Sequence, residues 1–459
     1  MKNTLLRSYV LISTFSVLGY LTTYANSPTY PSSAATDVQA ADSVKLYPEE
    51  QQRSDLLKDS KIIFTGGDAT RAPRDSALSL MSRFYDDQFR HSQDPEAPMF
   101  TFMSNDADIA MGIGANLVLS GWFNWNGYIP GGDFSPYNIQ IPRSPENNKS
   151  LDGGASGTNL FFSVLGTNEK LGNYRVFVQG KFNGYSHKGF KLSKAWVQIR
   201  DFTAGLATTT FSDPASEPDV LDPAGANGVV SKSNLLLRYL KTFKGKWSVA
   251  GSVEWPSSQP DVSGADVNKC LDYVPDIAAF GQYQWNRGLS HVRLAGIMRT
   301  MAYRNLINGT TKHVTGWGAL LGSTVKAGRN VTFYAQASVG QGITAYTGDL
   351  SNGDYDLLAT PGKNGCLYAP TTLGATFGVK YFWMNNLTST VALGTLRTYA
   401  KDGTNDDTYK YGQYLAANLI YNITPRMQIG MEYEAGKRMN FNGTHGNANR
   451  LQAVFVASF

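Results

Sequence analysis

The run RLQAVFVASF, residues 450–459, decides the fold. Leu451, Ala453, Phe455, Ala457 and Phe459 alternate with Arg450, Gln452, Val454, Val456 and Ser458. A period of two places the two sets on opposite faces of a β-strand. KAWVQIR, residues 194–200, reads the same way: Ala195, Val197 and Ile199 stand against Lys194, Trp196, Gln198 and Arg200. Further segments of this kind are NYRVFVQGK (173–181), 247–255, VTFYAQAS (331–338), 415–423 and MQIGMEYE (427–434). From Met99 onward about 16 can be placed, an even number typical of a membrane barrel.

The connections carry the second signal. Short ones fall at 168–172, 200–201, 242–246, 287–289, 328–330, 385–386 and 424–425. Long ones fall at 127–155, 212–228, 256–275, 341–371, 401–410 and 439–447, so that short and long alternate. A transmembrane barrel keeps tight turns on one rim and long loops on the other, whereas a soluble sandwich has no reason to. The expected fold is therefore all-β: a transmembrane antiparallel β-barrel of about 16 strands, with a short N-terminal periplasmic extension. Aromatics at strand ends, in 122–128, 381–383 and 411–414, are expected to form interfacial girdles. Phe459, closing an alternating strand, resembles the signal read by the outer-membrane assembly machinery.

Composition narrows the classes that remain. Only 17% of residues are charged, with 25 Tyr, 23 Phe and 8 Trp, which excludes a disordered chain. Lys and Arg total 41 against 36 Asp and Glu, too even a balance for a nucleic-acid binder of the basic-patch kind. Past the first segment no apolar run reaches helix-spanning length, which excludes a helical membrane protein. A mean hydropathy of -0.27 averages a lipid face with a water face.

Lys2 and Arg7, the apolar stretch SYVLISTFSVLGYL (8–21) and the small-x-small site at Thr23-Tyr24-Ala25 lay out a secretory signal peptide over residues 1–25. Residues 26–98 read as a periplasmic linker without strand alternation, with candidate helices at 49–60 and 76–91. The barrel then spans 99–459.

Two stretches carry a family resemblance. YDDQFRHSQDPEAPMFTFMSNDADIAMGIG (85–114) and the segment 195–240, with its acidic, Pro-containing loop and arginine-bearing return strand, are similar to the DcaP-like trimeric outer-membrane porins. The resemblance implies a 16-stranded barrel, a homotrimer and passage of small, preferentially anionic solutes. Members can carry a periplasmic coiled coil; residues 26–98 here show no sustained heptads.

A passive pore needs no catalytic group, metal or cofactor; its selectivity comes from lumen charge. Sorting by strand face puts Arg175, Lys181, Lys194, Arg200, Lys232, Arg238, Arg293, Arg299, Lys380 and Arg450 on the polar side, against Glu254, Glu432 and Glu434. Arg293 and Arg299 lie six residues, roughly 20 Å, apart on one strand. Such an excess favours anions; the competing expectation is that some arginines pair with carboxylates of an inward-folded loop. The segment 212–228, with Asp213, Glu217, Asp219 and Asp222 and three prolines, is the candidate constriction loop. The loops 127–155 and 341–371 are the alternatives for narrowing the mouth. Cys270 and Cys366 sit in two loops of one rim, where an oxidising compartment favours a disulfide over two free thiols. A non-conducting adhesin or anchor, and a barrel-embedded hydrolase, are the rival functions; the five histidines carry no GxSxG or HExxH spacing.

Overall fold

A computed structural model of the chain describes residues 47–65 and 98–459, apart from 107, 144, 171, 184–188, 264–265, 352 and 406. The expected signal peptide and the helix expected at 76–91 lie outside the described residues.

Sixteen strands form the wall: β1 Ile109–Trp125, β2 Asn159–Asn168, β3 Gly172–Asn183, β4 Gly189–Ile199, β5 Phe202–Thr208, β6 Ser233–Phe243, β7 Trp247–Glu254 and β8 Asp276–Trp285. There follow β9 Ser290–Asn305, β10 Thr311–Ala327, β11 Val331–Gln341, β12 Thr371–Met384, β13 Leu387–Tyr399, β14 Tyr409–Thr424, β15 Met427–Asn440 and β16 His445–Ser458. Each is antiparallel to the next, and β16 returns to β1 from Asn449↔Trp125 to Ser458↔Asn116. The barrel is closed, so every wall strand has a partner on both sides, as the absence of water in lipid requires. Phe459 extends the closure: its N–H donates to the Ala115 carbonyl at 2.9 Å, and its carbonyl accepts from Ala115 N–H at 2.8 Å. Phe100–Ser104 then continues the line of β16 along the lower half of β1.

The alternation holds around the ring. Leu235, Leu237 and Tyr239 on β6, Val292, Leu294 and Met298 on β9, and Leu451 on β16 are exposed on the outside. Their neighbours Arg238, Arg293 and Arg450 are buried within. An exposed apolar belt of this extent is a lipid-facing surface. Near the short turns it ends in paired aromatics, Trp247 tilted against Tyr283 and Tyr381 edge-on to Trp383, each pair 4.7 Å between ring centroids. Trp122 and Tyr414, expected in girdles, instead point into the lumen and are buried there, because both stand on the even, inward positions of their strands.

Two expectations are corrected. The long rim also carries tight hairpins, at 306–310 and 441–444, because β9 and β10, and β15 and β16, stay paired well past the lipid belt. Residues 26–98 do contain a strand, Lys61–Thr65, which pairs in parallel with Phe100–Ser104 by filling an open edge rather than by alternation of its own. Helix α1, Pro48–Asp59, lies close to the range expected at 49–60. It rests on four successive short turns: Glu50 on Arg287, Glu49 on Lys326, Gln52 on the Asn385 carbonyl, and Asp59 on Arg426.

Deleting Phe459 removes two hydrogen bonds that close the ring. The yield of heat-resistant folded barrel on unheated gels should fall several-fold, and an unchanged yield would show that closure does not depend on it.

Candidate functional site

Three of the long loops turn inward and fill part of the barrel, and each is fastened by an arginine that alternation points into the lumen. Residues 209–232, between β5 and β6, cross the interior. Arg293 donates through Nη1 to the Ser212 carbonyl at 2.8 Å and lies 3.6 Å from Asp213. His291, on the same face of β9, bonds Asp213 at 2.8 Å. Burial alone would raise the Asp213 carboxyl, but Arg293 and His291 outweigh it and hold it down at about 2. Farther along, Gln336 of β11 donates to Ser216 and accepts from Val230 N–H. Lys380 pairs with Asp219, and Glu432 accepts the backbone N–H groups of Leu221 and Asp222. At its root, Glu254 accepts from Thr209 and Thr210.

The wall is shaped to receive this backbone. At Gly394 of β13 an added Cβ would stand 2.2 Å from the Asn227 carbonyl oxygen, and at Gly322 of β10 2.2 Å from an Asp213 oxygen. Only glycine allows so close an approach.

The other two loops follow the same rule. Arg299 reaches Asp276 at 2.9 Å, Asp356 at 3.1 Å and the Ser257 carbonyl at 2.7 Å, as well as the Gly342 carbonyl. These contacts tie residues 342–370 and the start of 255–275 to β8 and β9. Tyr346 packs on this cation, its ring 4.9 Å from the Arg299 guanidinium and its hydroxyl donating to Asp276. Arg450 takes the carbonyls of Ile129, Gly131 and Gly132, and Arg438 that of Tyr137, which fixes residues 126–148 inside.

Arg293, Arg299 and Arg450 are thus dry at 0–2% exposure and committed to loops, the second of the two expectations for them. Glu432 is a loop anchor rather than a pore-facing charge. Arg200 leaves the barrel face altogether: it sits in the β4–β5 turn with φ 52°, exposed on the short-turn rim. Lys232 precedes β6 and lies over the Tyr346 ring at 4.3 Å. Lys181 and Lys194 on β3 and β4 face the lumen and keep partial exposure, as do Asn116, Val118, Ser120 and Gln198. Arg175 and Arg238 share that wall, buried beside Trp196 and the Thr208 carbonyl. Lys194 lies within electrostatic reach of Glu217, and Lys181 of Asp133. Lys326 and Arg438 were missed by sorting the sequence, although both stand on inward positions, Lys326 two residues beyond Thr324.

Cys270 and Cys366 are free, half-buried thiols rather than the expected bridge. Both loops are already fastened to β9: Lys269 is paired with Tyr303, the Tyr303 hydroxyl accepts from Leu367 N–H, and Asn305 donates to the Gly365 carbonyl.

Comparison with solved structures gives the architecture its counterpart. The outer membrane channel DcaP of Acinetobacter baumannii superposes with a TM-score of 0.67 at 19% identity, over 77% of this chain and 98% of that one. The fold is that of the DcaP channel. An anion-selective porin from Comamonas acidovorans (TM-score 0.49, 9% identity, 76% and 100% covered) and OmpT of Vibrio cholerae (0.49, 10%, 77% and 98%) are more distant. No family model matches the sequence, and no curated protein does.

The loop tip titrates. Burial, with repulsion from Asp133 and Glu432, pushes the Asp222 carboxyl up to about 7, despite hydrogen bonds from Phe134 and Ala224 N–H. A raised carboxyl stabilises docking fully below its ordinary range and loses that contribution as pH climbs through 7. Asp213, held down, contributes above its ordinary range and loses it as pH falls toward 2. Amide-exchange protection over residues 219–224 should therefore drop between pH 5 and pH 8, and Asp222→Asn should abolish the drop. An equal drop in the variant would contradict this assignment.

Proposed function

We propose that the protein is a porin of the Gram-negative outer membrane. It is a passive diffusion channel for small hydrophilic solutes, with a preference for anions such as dicarboxylates. On this reading residues 1–25 are a cleaved signal peptide, 26–98 a periplasmic extension and 99–459 the barrel. The barrel works as a homotrimer in contact with outer-membrane lipid, after insertion by the barrel-assembly machinery acting on the C-terminal strand. The fold shared with a protein described as an outer membrane channel supports the pore.

The observation that carries the anion preference is the division of the lumen. Along β9 to β15, charges are used up by loops: Arg293 with Asp213, Arg299 with Asp356 (and with Asp276 of the wall), and Lys380 with Asp219. Along β3 and β4, Lys181 and Lys194 keep access to water and look toward loop residues. Cations on a low-dielectric wall concentrate anions, and a facing acidic loop orients them across the passage. His291 is engaged with Asp213 as a loop anchor, which supports transport over hydrolysis.

The test is a reversal potential in planar bilayers under a potassium chloride gradient. The wild type should prefer chloride, and Lys181→Met with Lys194→Met should lower the permeability ratio several-fold at unchanged folding. Cation preference in the wild type, or an unchanged ratio in the double variant, would overturn the assignment.

A further inference from the structure

Helix α1 does more than rest on the short-turn rim. Its first turn puts the Glu49 carboxylate into the barrel mouth, where one oxygen lies 2.6 Å from the Lys326 ammonium and 3.3 Å from the Thr332 hydroxyl. Lys326 and Thr332 are themselves 3.2 Å apart. Both stand on inward positions, Lys326 at the end of β10 and Thr332 at the start of β11. Lys380 of β12, paired with Asp219 of the inward loop, is the second cation there. The two ammonium groups lie on the ring of Phe382, Lys326 at 4.3 Å and Lys380 at 5.0 Å from its centroid. The Lys326 side chain is 1% exposed. The second Glu49 oxygen is buried and accepts no hydrogen bond.

We infer that Lys326 and Thr332, on the Phe382 floor, form a carboxylate-binding subsite at the short-turn mouth, which Glu49 of the protein's own extension occupies in competition with solutes. The chemistry of the occupant is that of the ligand: a single carboxylate taken by an ammonium and a hydroxyl. The helix that delivers it is tied to the rim largely by polar groups. Its sequence, PEEQQRSDLLKD, is mostly polar, and its described ties include ion pairs and single hydrogen bonds: Glu50 with Arg287, Gln52 with the Asn385 carbonyl, and Asp59 and Ser60 with Arg426, while Tyr47, just before it, lies against Arg287 and Lys326. Pairs of this kind, half-exposed to water, are individually weak and screened by salt. A solute carboxylate replaces Glu49 like for like at the Lys326 ammonium and the Thr332 hydroxyl. The inference rests on the channel reading above and gives it a place where a solute is held.

The experiment uses the full chain in planar bilayers carrying a chloride current, with succinate added on both sides as the probe. Glu49→Gln leaves the subsite without its internal occupant, so half-block by succinate should occur at roughly tenfold lower concentration, about one charge-assisted hydrogen bond of competition. Deletion of residues 48–59 should reproduce that shift. Adding Lys326→Met to Glu49→Gln should abolish it. A channel that prefers chloride but shows the same block constant in wild type, Glu49→Gln and the deletion overturns the subsite and leaves the channel reading intact. So does a gain that survives Lys326→Met. A wild type without anion preference overturns the channel reading and the subsite with it.

Discussion

A guanidinium cannot be left dry and unpaired inside a membrane barrel, and this constraint organises the interior. Arg293, Arg299 and Arg450 are at most 2% exposed, stand on inward positions of the wall and cannot reach bulk water. Moving such a charge out of water costs several kcal/mol unless carboxylates and carbonyls surround it. The wall strands supply few of these acceptors. The inward-folded loops supply the rest, so the loops are drawn in and held by the same groups they neutralise. Removing either side of one of these buried pairs leaves the other uncompensated, which costs about 3–5 kcal/mol. Glycines complete the arrangement: Gly394 lets the Asn227 backbone lie against the wall, and Gly322 makes room for the Asp213 side chain.

This division of labour has a functional consequence. An arginine spent on fixing a loop offers little to a passing ion, so the basic excess counted along the strands overstates the charge a solute meets. What remains accessible lies along β3 and β4, and at the short-turn mouth once Glu49 is considered an occupant rather than a fixture. The lumen thus has a structural half, where charge determines shape, and an open half, where charge acts on solutes. The titration of Asp222 near pH 7 belongs to the first and acts on the second only through the position of the loop.

Much of the fold was legible in the sequence because it follows from one local rule. Alternation in 450–459 and 194–200 needs no tertiary knowledge, and the lipid face it assigns to Leu451 or Ala195 is the observed one. Alternation also put Arg293 and Arg299 inside. It could not say what they meet there, because Ser212 and Asp356 are brought to them from 81 and 57 residues away. Acidic, proline-rich composition marked 212–228 as a candidate for folding inward, yet nothing in its sequence names Glu432 as the acceptor for its tip. Arg200 was misplaced because a turn residue with positive φ leaves the period of the strand it ends. The strand at 61–65 was missed because a filler at an open edge has no obligation to alternate.

The central claim is that residues 209–232 lie folded across the lumen in the working barrel. With Cys270 and Cys366 replaced by Ser, cysteines placed at Ser216 and Gln336, whose side chains are hydrogen-bonded at 2.9 Å, report on this through a short bis-methanethiosulfonate crosslinker that spans the removed glutamine side chain. The account predicts that the crosslinker joins the two cysteines in the membrane-embedded protein and leaves the single-channel conductance unchanged. Failure of the two cysteines to join, or a conductance that collapses when they do, would contradict it.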